Sequence, residues 1–287
     1  MHDFMLVNES VLPASSQTMS PGQVGSVNGW GVFSTVRVHH GVLFAWERHF
    51  RRMAKDAALL RVPFPDDSIW MEEQLLKLIA ANGAAESTLR VIVMRNKGGM
   101  WEGPGLERPF ELIAFTTGLK NWGGDVSLGL VPQARHAANH YAGTKMLSWS
   151  FNLCMYEQAH DEGFDEVVLL NERGEVSELT SANLFAVFGN EVLTPPLDSG
   201  CLPGITRALL LEEIAVPDIV VREARLMPED LAAADGLFIT SSTRHLLRVK
   251  AVQSLHIRQG DEVRARLNRA FEDYLNRYCE TRASIRA

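Results

Sequence analysis

The sequence predicts an α+β fold built from two α/β subdomains. Predicted strands and helices are interleaved along the chain, without the regular strand–helix–strand repeat of a doubly wound parallel sheet. A polar, glycine-rich stretch from Gly118 to Gly124 separates two sets of elements and is typical of a linker. We therefore predict a small N-terminal domain over residues 1–118, a linker over residues 119–124 and a larger C-terminal domain over residues 125–287.

In the first domain, β-branched runs bounded by turn residues predict strands, and apolar residues three or four positions apart predict helices. His39-His40-Gly41 predicts a turn between two of these strands. A helix cap is predicted at Asp66, Asp67 or Ser68, and Asn82-Gly83 is a stop signal. The predicted strands cover residues 32–38, 42–44, 89–94 and 110–116, and the predicted helices cover residues 47–60 and 67–81.

The same signals divide the second domain. Gly189-Asn190 joins two apolar runs and predicts a hairpin turn. A helix is predicted after Gly204, because an apolar run follows this glycine. The predicted strands cover residues 126–131, 166–171, 176–179, 183–188, 191–194 and 236–240, and two further helices cover residues 147–162 and 261–279.

Composition and charge favour an ordinary globular protein of the cytoplasm. The 287 residues are 46% apolar and 22% charged, with a formal net charge of −7. The negative charge disfavours nucleic acid and anionic membranes as partners. No signal peptide is evident, and no apolar stretch approaches the ~20 residues that a membrane span needs. We expect neither a membrane nor a nucleic acid partner.

The cysteines are predicted to be inert. Cys154, Cys201 and Cys279 are far apart and odd in number, so they offer neither a metal-ligand spacing nor a disulfide framework. Free cysteines are usually buried, and we expect buried thiols in a reducing cytoplasm. No metal site is predicted.

Chemistry is expected at Lys145, one of six lysines in the chain. Apolar residues follow it, and apolar surroundings disfavour an ammonium ion, so the neutral amine becomes available to attack an aldehyde. Taken alone, this residue is interpreted as a surface lysine at a helix start. The segments that follow Lys145 in the chain support a chemical role for it.

Two later segments supply groups that complement an amine. Glu178 ends a predicted strand, and the polar residues after it, Thr180, Ser181 and Asn183, are expected to orient its carboxylate. Gly204-Ile205-Thr206 opens a helix whose first N–H groups attract phosphate. A lysine, a carboxylate and a phosphate-binding helix start are together what a pyridoxal phosphate (PLP) enzyme needs. Taken alone, Glu178 fits a solvated carboxylate, and Gly204-Ile205-Thr206 fits an ordinary helix start.

A further hydroxyl cluster, Thr240 to Thr243, follows an apolar strand. It is suited to phosphate oxygens, and a plain loop explains it equally well. All these segments together resemble the class IV, or fold-type IV, PLP enzymes. That family includes branched-chain aminotransferases, D-amino acid aminotransferases, (R)-amine transaminases and aminodeoxychorismate lyases. The resemblance runs from Gly29-Trp30-Gly31 through His49-Phe50-Arg51-Arg52-Met53 to the cluster near residue 242, nearly the whole chain.

The resemblance implies an architecture and roles for matching residues. It implies that the cofactor lies between the two subdomains and that the other subunit of a homodimer completes the active site. Lys145 resembles the Schiff-base lysine, which also moves a proton, and Glu178 resembles the partner of the pyridine nitrogen. Arg52 resembles the arginine that binds the phosphate group. The remaining implied cofactor-binding residues are Asn183, Ile205, Thr206, Ser241 and Ser242.

The substrate residues agree with no single subfamily. Met100 stands where D-amino acid aminotransferases and lyases carry a carboxylate-binding arginine, and methionine cannot pair with a carboxylate. Arg90 resembles a strand arginine of the branched-chain enzymes, although a strand-surface role explains it equally well. Trp101 and Trp149 are expected to line the pocket. Trp149, four residues after Lys145, makes this segment similar to that of the (R)-amine transaminases. The segment 142–145 is instead similar to the lyases.

We therefore expect a transaminase that moves an amino group from an apolar, branched-chain-like amino acid to a 2-keto acid. An aminodeoxychorismate lyase, which eliminates pyruvate and gives 4-aminobenzoate, is one alternative. A D-amino acid or (R)-amine transaminase is another. A binding protein that kept the fold and lost catalysis is the last.

Overall fold

The computed structural model describes residues 1–99, 103 and 106–286, and the chain forms two compact units. The first unit consists of Met1–Lys120, Thr144–Trp149 and Arg277–Ala287. The second unit consists of Asn121–Gly143 and Ser150–Asn276. The sequence predicts one change of domain, at residues 119–124, whereas two later segments pack with the first unit. Tyr278 belongs to one of them, and its hydroxyl donates to Glu47 Oε2 at 2.6 Å.

The first unit is built on a six-stranded antiparallel sheet. Its elements are β1 (Phe4–Val7), β2 (Ser10–Pro13), α1 (Val24–Asn28), β3 (Gly31–His39), β4 (Val42–Leu43), α2 (Trp46–Leu59), α3 (Ser68–Ala81), β5 (Ser87–Arg95) and β6 (Phe110–Thr117). The strand order is β2-β1-β6-β5-β3-β4. Alternate residues of β3 and β5, such as Val36 and Val91, are fully buried and pack with Leu75 of α3 in one core. Asp67 caps α3 by accepting two N–H groups of its first turn.

The second unit is built on a mixed eight-stranded sheet. Its elements are β7 (Asp125–Arg135), α4 (Ser150–Asp161), β8 (Glu166–Asn171), β9 (Val176–Leu179), β10 (Asn183–Phe188), β11 (Glu191–Thr194), a 3₁₀ turn (Leu197–Ser199), α5 (Ile205–Glu212), β12 (Val220–Glu223), α6 (Pro228–Ala233), β13 (Gly236–Ser241) and β14 (His245–Val252). The last helix, α7 (Glu262–Arg286), belongs to the second unit up to Asn276 and to the first unit from Arg277 onward. The order is β12-β11-β10-β13-β14-β7-β8-β9, and β7 runs parallel to both of its neighbours. The mixed α+β class predicted from the sequence is confirmed.

The segment around Lys145 differs from the prediction. A helix was predicted over residues 147–162, but α4 begins at Ser150. The preceding residues lie beside the first part of β3, which β4 leaves unpaired. There the N–H of Leu147 donates to the Gly31 carbonyl at 2.9 Å, and Met146 forms a bridge with Val32. The unpaired edge of β3 thus competes successfully with helix formation for these main-chain groups.

The surface of α4 also departs from expectation. Only Ala159 of this helix is buried, while Phe151 and Leu153 are 80% and 48% exposed. Cys154 on the same helix is exposed, so the prediction of buried thiols is wrong there, although Cys201 and Cys279 are buried. Over the described residues, no helix combines the length and the apolar content needed to cross a bilayer.

Candidate functional site

Helix α2 carries three buried polar residues on one face. His49, Arg52 and Asp56 are 0%, 9% and 4% exposed, and their positions i, i+3 and i+7 place them on the same side of the helix. Ionisable side chains are rarely buried without polar partners. The partners come from β3 and from the segment that carries Lys145.

Lys145 is held through its main chain. Its N–H donates to Asp56 Oδ2 at 3.1 Å, and its carbonyl accepts the N–H of Phe33 at 3.2 Å. The Nζ atom lies 4.6 Å from the centre of the Phe33 ring, within the range of a cation–π contact. The structure therefore fixes the backbone of Lys145 and places its amine against an aromatic ring.

Arg52 binds the hydroxyl of Ser34. Its Nη2 donates to Ser34 Oγ at 2.9 Å, and the same Oγ lies 2.7 Å from His49 Nδ1. Burial lowers the pKa of Arg52 to about 10, and nearby Asp56 opposes this shift. Arg52 is therefore protonated at neutral pH and provides a buried positive charge suited to a phosphate.

Arg90 and Trp149 meet at Phe33. The Arg90 Cζ atom lies 3.5 Å from the centre of the Phe33 ring, and the Trp149 ring approaches the same ring edge-on at 5.9 Å. Arg90 Nη1 donates to Thr35 Oγ1 at 3.1 Å, and burial lowers the pKa of Arg90 to about 10. Two of the predicted substrate residues thus lie beside the ring that the lysine amine contacts. The other two, Met100 and Trp101, lie outside the described residues.

In the second unit, Glu178 is held by two donors. Arg135 Nε donates to Glu178 Oε1 at 2.9 Å, and the N–H of Leu202 donates to Oε2 at 3.0 Å. The Glu178 side chain is 12% exposed. Because a carboxylate offers about four lone-pair positions, Glu178 keeps acceptor capacity for a further donor.

Thr180 and Ser181 do not orient Glu178, and this prediction is wrong. Their hydroxyls donate instead to Glu166, at 2.6 Å for Ser181. Arg244 also contacts Glu166, with Nη2 at 3.3 Å from Oε2, and the Glu166 side chain is 1% exposed. A carboxylate buried so deeply requires several donors, and the two hydroxyls supply them.

Asn183 connects the start of α5 to the end of β13. Its Nδ2 donates to the carbonyl of Leu202 at 2.9 Å, and its backbone pairs with that of Thr240. A Cβ atom on Gly204, which precedes α5, would lie 2.0 Å from Asn183 Oδ1. A larger residue at position 204 would therefore displace the Asn183 amide from this place. The Asn183 amide bonds to Leu202 instead of Glu178, so the prediction that it orients Glu178 is wrong.

The start of α5 and the end of β13 both leave polar groups for a ligand. Within the described part of the chain, no side chain caps α5, which begins with Ile205 and Thr206. Thr240 Oγ1 is buried and has no hydrogen-bond partner among the residues that the structure describes. Ser241 Oγ accepts the N–H of Arg244 at 3.2 Å, and Ser242 follows in the turn. Uncapped N–H groups and an unpaired hydroxyl favour an anion at this place.

Three residues that shape these sites were not predicted. Asp56 lies four positions after Arg52, so helical spacing is a signal that could have identified it. Arg135 reaches Glu178 through the pairing of β7 with β8 and of β8 with β9, and Glu166 reaches Ser181 through the same strands. No short sequence pattern reports such contacts between strands.

A separate surface cluster combines two imidazoles with a carboxylate. Single ligand atoms of His39, His40 and Glu86 all lie within 4.8 Å of one another. The same carboxylate accepts Arg37 Nη2 at 3.2 Å and the N–H of His40 at 2.6 Å. These donors account for the cluster without a metal ion.

A family model matches most of the chain. The model described as amino-transferase class IV matches residues 31–252. The chain belongs to this family. Class IV aminotransferases are PLP-dependent enzymes, so the chain is an enzyme of the aminotransferase type.

Individual relatives span several substrate classes. The chain is 27% identical over 254 residues to a Methanocaldococcus jannaschii protein assigned as a branched-chain-amino-acid aminotransferase, covering 87% of this chain and 88% of the relative. It is 25% identical over 260 residues to the D-alanine aminotransferase of Bacillus licheniformis, covering 89% and 90%. A Legionella pneumophila structure assigned as a 4-amino-4-deoxychorismate lyase superposes with a TM-score of 0.83 at 24% identity, covering 91% and 96%. That likeness shows the fold.

The residues of each unit fit part of a PLP molecule. In the first unit, Lys145 offers an amine for the aldehyde, and Arg52 offers a buried cation for the phosphate. In the second unit, Glu178 has acceptor capacity for a pyridinium N–H. The unpaired hydroxyl of Thr240 and the uncapped start of α5 suit phosphate oxygens.

Proposed function

We propose that this protein is a PLP-dependent transaminase that moves an amino group from an apolar, branched-chain-like amino acid to a 2-keto acid. The observation that carries the proposal is the setting of Lys145, whose backbone is bonded on both sides while its amine contacts Phe33. A lysine held in this way is positioned for covalent chemistry with a carbonyl group. Family membership supports the same conclusion.

We propose a role toward the cofactor for each of the candidate residues. Lys145 Nζ attaches it, Arg52 binds its phosphate, and Glu178 accepts a hydrogen bond from its pyridine nitrogen. When bound, PLP supplies an aldehyde that receives the amino group and a ring that withdraws electrons from the substrate. The remaining proposed phosphate contacts are Asn183, Ile205, Thr206, Ser241 and Ser242.

Two proton positions follow from this assignment. Glu178, held by Arg135 and Leu202, would keep a proton on the pyridine nitrogen and so preserve the electron demand of the ring. Lys145 Nζ would be the base that removes the proton from the substrate Cα. The fixed backbone of Lys145 limits where this nitrogen can move, which favours proton transfer over a short path.

The substrate residues are proposed from the ring of Phe33. Arg90, held by Thr35 over this ring, binds the substrate carboxylate. Phe33 and Trp149 provide aromatic walls for an apolar side chain. Met100 and Trp101 complete the proposed pocket on sequence grounds alone.

A pyruvate-eliminating lyase acting on aminodeoxychorismate is the second candidate. It is favoured by the segment 142–145, which resembles the lyases. The D-alanine aminotransferase of Bacillus licheniformis keeps D-amino acids among the possible donors, and (R)-amines are the remaining donor class.

We also propose a cytoplasmic homodimer. The resemblance to the family implies the dimer, and the apolar side chains exposed on α4 offer it a surface. The three unpaired cysteines fit a reducing compartment.

One panel of assays tests these assignments. The protein is loaded with PLP, reduced with borohydride and mapped by peptide mass spectrometry, which should place the label on Lys145. The loaded enzyme is then incubated with leucine, valine, D-alanine, an (R)-amine or aspartate and 2-oxoglutarate, and separately with aminodeoxychorismate. Glutamate formed from leucine or valine supports the transaminase. Pyruvate and 4-aminobenzoate without glutamate support the lyase, and a label on another lysine contradicts the proposed site.

A further inference from the structure

The loop before α5 supplies one of the two donors that hold Glu178. The segment 195–203 links β11 to α5 and is irregular apart from one 3₁₀ turn. Within it, the N–H of Leu202 donates to Glu178 Oε2 at 3.0 Å. An irregular segment cannot fix its backbone through the repeated bonds of a helix or a sheet, so other groups must bind its carbonyls. The position of the Leu202 N–H therefore depends on the side chains that hold this segment.

Two side chains from the end of β8 and the turn after it bind main-chain carbonyls of this segment. Asn171 Nδ2 donates to the carbonyl of Ser199 at 3.3 Å. Arg173 Nη2 donates to the carbonyl of Asp198 at 2.8 Å. A third side chain, Arg225, donates from Nη2 to the Asp198 carboxylate at 2.6 Å. Asp198 and Ser199 are thus held by three donors from outside the segment.

Glu175 gathers the same three donors. Its Oε2 accepts Asn171 Nδ2 at 2.8 Å and Arg173 through Nε at 3.0 Å and Nη2 at 2.7 Å. Its Oε1 accepts Arg225 Nη1 at 2.7 Å. Each hydrogen in this set has one acceptor, because Asn171 Nδ2 and Arg173 Nη2 carry two hydrogens each and Arg225 donates from two different nitrogens. Since Glu175 is only 8% exposed, its carboxylate depends on these donors and orients them in turn.

The charges keep this arrangement in place at neutral pH. Hydrogen bonds, first of all from Arg173, lower the pKa of Glu175 to about 2, so the carboxylate is ionised at pH 7. Hydrogen bonds between ionised groups are shorter and stronger than neutral ones, and the planar guanidinium group also fixes their geometry. Removing the charge of Glu175 would take away the partner that orients Arg173 and Arg225 towards Asp198.

We propose that Glu175 is a positioning residue for Glu178. It orients the three donors that fix Asp198 and Ser199, and Leu202 follows Ser199 by only three residues. This keeps the Leu202 N–H on Glu178 Oε2, so that the Glu178 carboxylate keeps one orientation. The inference rests on the proposed function, because it takes Glu178 as the partner of the pyridine nitrogen, and it deepens that function by naming what holds Glu178 in place.

Hydrogen exchange of the apoprotein tests whether Glu175 holds this segment. Glu175→Gln removes the charge at almost unchanged volume. The peptide that spans residues 198–202 should then exchange about tenfold faster, because hydrogen bonds to a charged group are lost. Glu191→Gln changes an exposed glutamate of the same sheet, paired with Arg222, and should exchange at the wild-type rate. Unchanged exchange in Glu175→Gln overturns the inference.

A double-mutant cycle tests whether Glu175 acts through Glu178. Single-turnover absorbance of the PLP-loaded enzyme with an amino donor gives the rate of proton transfer. Glu175→Gln should lower this rate by roughly fivefold or more, because a misplaced catalytic group slows a reaction. In the Glu178→Gln background the same change should lower it by less than about twofold. An equal fall in both backgrounds, or an unchanged rate, contradicts the proposed role, since a general loss of stability acts in both.

Val249→Ala separates positioning from stability. Val249 is a 1% exposed core residue of β14, and truncating it lowers the free energy of unfolding without touching the donors of Glu175. Melting curves set a temperature at which every variant is folded. There, Val249→Ala should change neither the exchange of residues 198–202 nor the rate. If it changes both as Glu175→Gln does, stability explains the effect and the inference is wrong.

The two experiments also separate this inference from the proposed function. A wild-type protein that does not attach PLP to Lys145 contradicts the proposed function. The exchange of the apoprotein involves no cofactor, so it still decides whether Glu175 holds the segment that carries Leu202.

Discussion

The backbone N–H of Lys145 donates to Asp56 Oδ2 at 3.1 Å. The helix that carries Arg52 therefore also holds the main chain of the lysine. Burial raises the pKa of Asp56, whereas the Lys145 N–H and the charge of Arg52 lower it. One buried carboxylate thus joins the proposed phosphate-binding residue and the proposed catalytic residue within the first unit.

Removing this acceptor should loosen the segment around Lys145. We expect Asp56→Ala to speed hydrogen exchange of the Lys145 amide by about tenfold, because one hydrogen bond to a charged group stabilises by ~1.5 kcal/mol or more. Asp56→Asn keeps an acceptor oxygen and should exchange at nearly the wild-type rate. Mass spectrometry of peptides that span residue 145 provides the measurement. Equal exchange in both variants and the wild type would show that other bonds hold this backbone.

Glu178→Gln should leave the cofactor bound and slow the proton transfer. A neutral amide cannot keep the pyridine nitrogen protonated, and losing one positioned electrostatic group costs ~3 kcal/mol, or about two decades in rate. Single-turnover absorbance with an amino donor gives this rate. Glu229→Gln changes an exposed glutamate of α6 in the same way and should have no effect. An unchanged rate in Glu178→Gln would assign the pyridine nitrogen to another group.

Arg90→Ala should weaken donor binding far more than cofactor binding. We expect the dissociation constant of the amino donor to rise by roughly 10- to 100-fold, because a charged hydrogen-bond partner of its carboxylate is lost. The PLP dissociation constant should change by less than about threefold. Arg37→Ala, on the same sheet and paired with Glu86, serves as the control. A parallel loss of PLP affinity would place Arg90 at the cofactor.

The same pocket predicts donor selectivity. Burying a branched aliphatic side chain against Phe33 and Trp149 stabilises by ~1.5–3 kcal/mol, so leucine and valine should outpace aspartate and glutamate by about tenfold or more in single-turnover reactions. Faster reaction of aspartate and glutamate than of leucine and valine would contradict the proposed aromatic wall of Phe33 and Trp149. This comparison uses the wild-type enzyme and is made alongside the donor-binding measurements on Arg90→Ala.

Acid should destabilise the second unit through Glu175. Hydrogen bonds, first of all from Arg173, lower the pKa of this buried carboxyl from 4.5 to about 2. A depressed pKa stabilises the fold above the unfolded-state value, and this contribution is lost as pH falls from 4.5 towards 2. Glu175→Gln should lower the free energy of unfolding at pH 7 and flatten its pH dependence across that window. Urea unfolding at several pH values checks this, and Glu191→Gln, which breaks an exposed pair with Arg222, should change little.

Phe151→Glu should weaken the proposed dimer. This side chain is 80% exposed on α4, and a buried, unpaired carboxylate opposes association by several kcal/mol. Sedimentation velocity should show a shift towards monomer. Ile69→Glu alters an apolar residue of α3 that is 69% exposed and should leave the dimer intact. A monomeric wild-type protein, or a dimer unaffected by Phe151→Glu, would place the interface elsewhere or remove it.

The sequence alone determined the α+β class, most of the strands and helices, and the family. Strands such as β3 and β5 were predictable because alternating burial leaves a local pattern, and α3 because its cap and its stop are local signals. Lys145 and Glu178 could be predicted as site residues because the motifs that carry them are short and contiguous. These features depend on neighbours in the chain.

Only the tertiary structure decided how those residues are held. Helix α4 begins at Ser150 because the residues before it pair with the part of β3 that β4 leaves unpaired. The hydroxyls of Thr180 and Ser181 donate to Glu166, and Arg135 donates to Glu178. Strand pairing brings these groups together from distant parts of the chain, and hydrogen-bond demand in a buried site then selects among the candidates. Such competition depends on three-dimensional distance, which no local pattern of residues encodes.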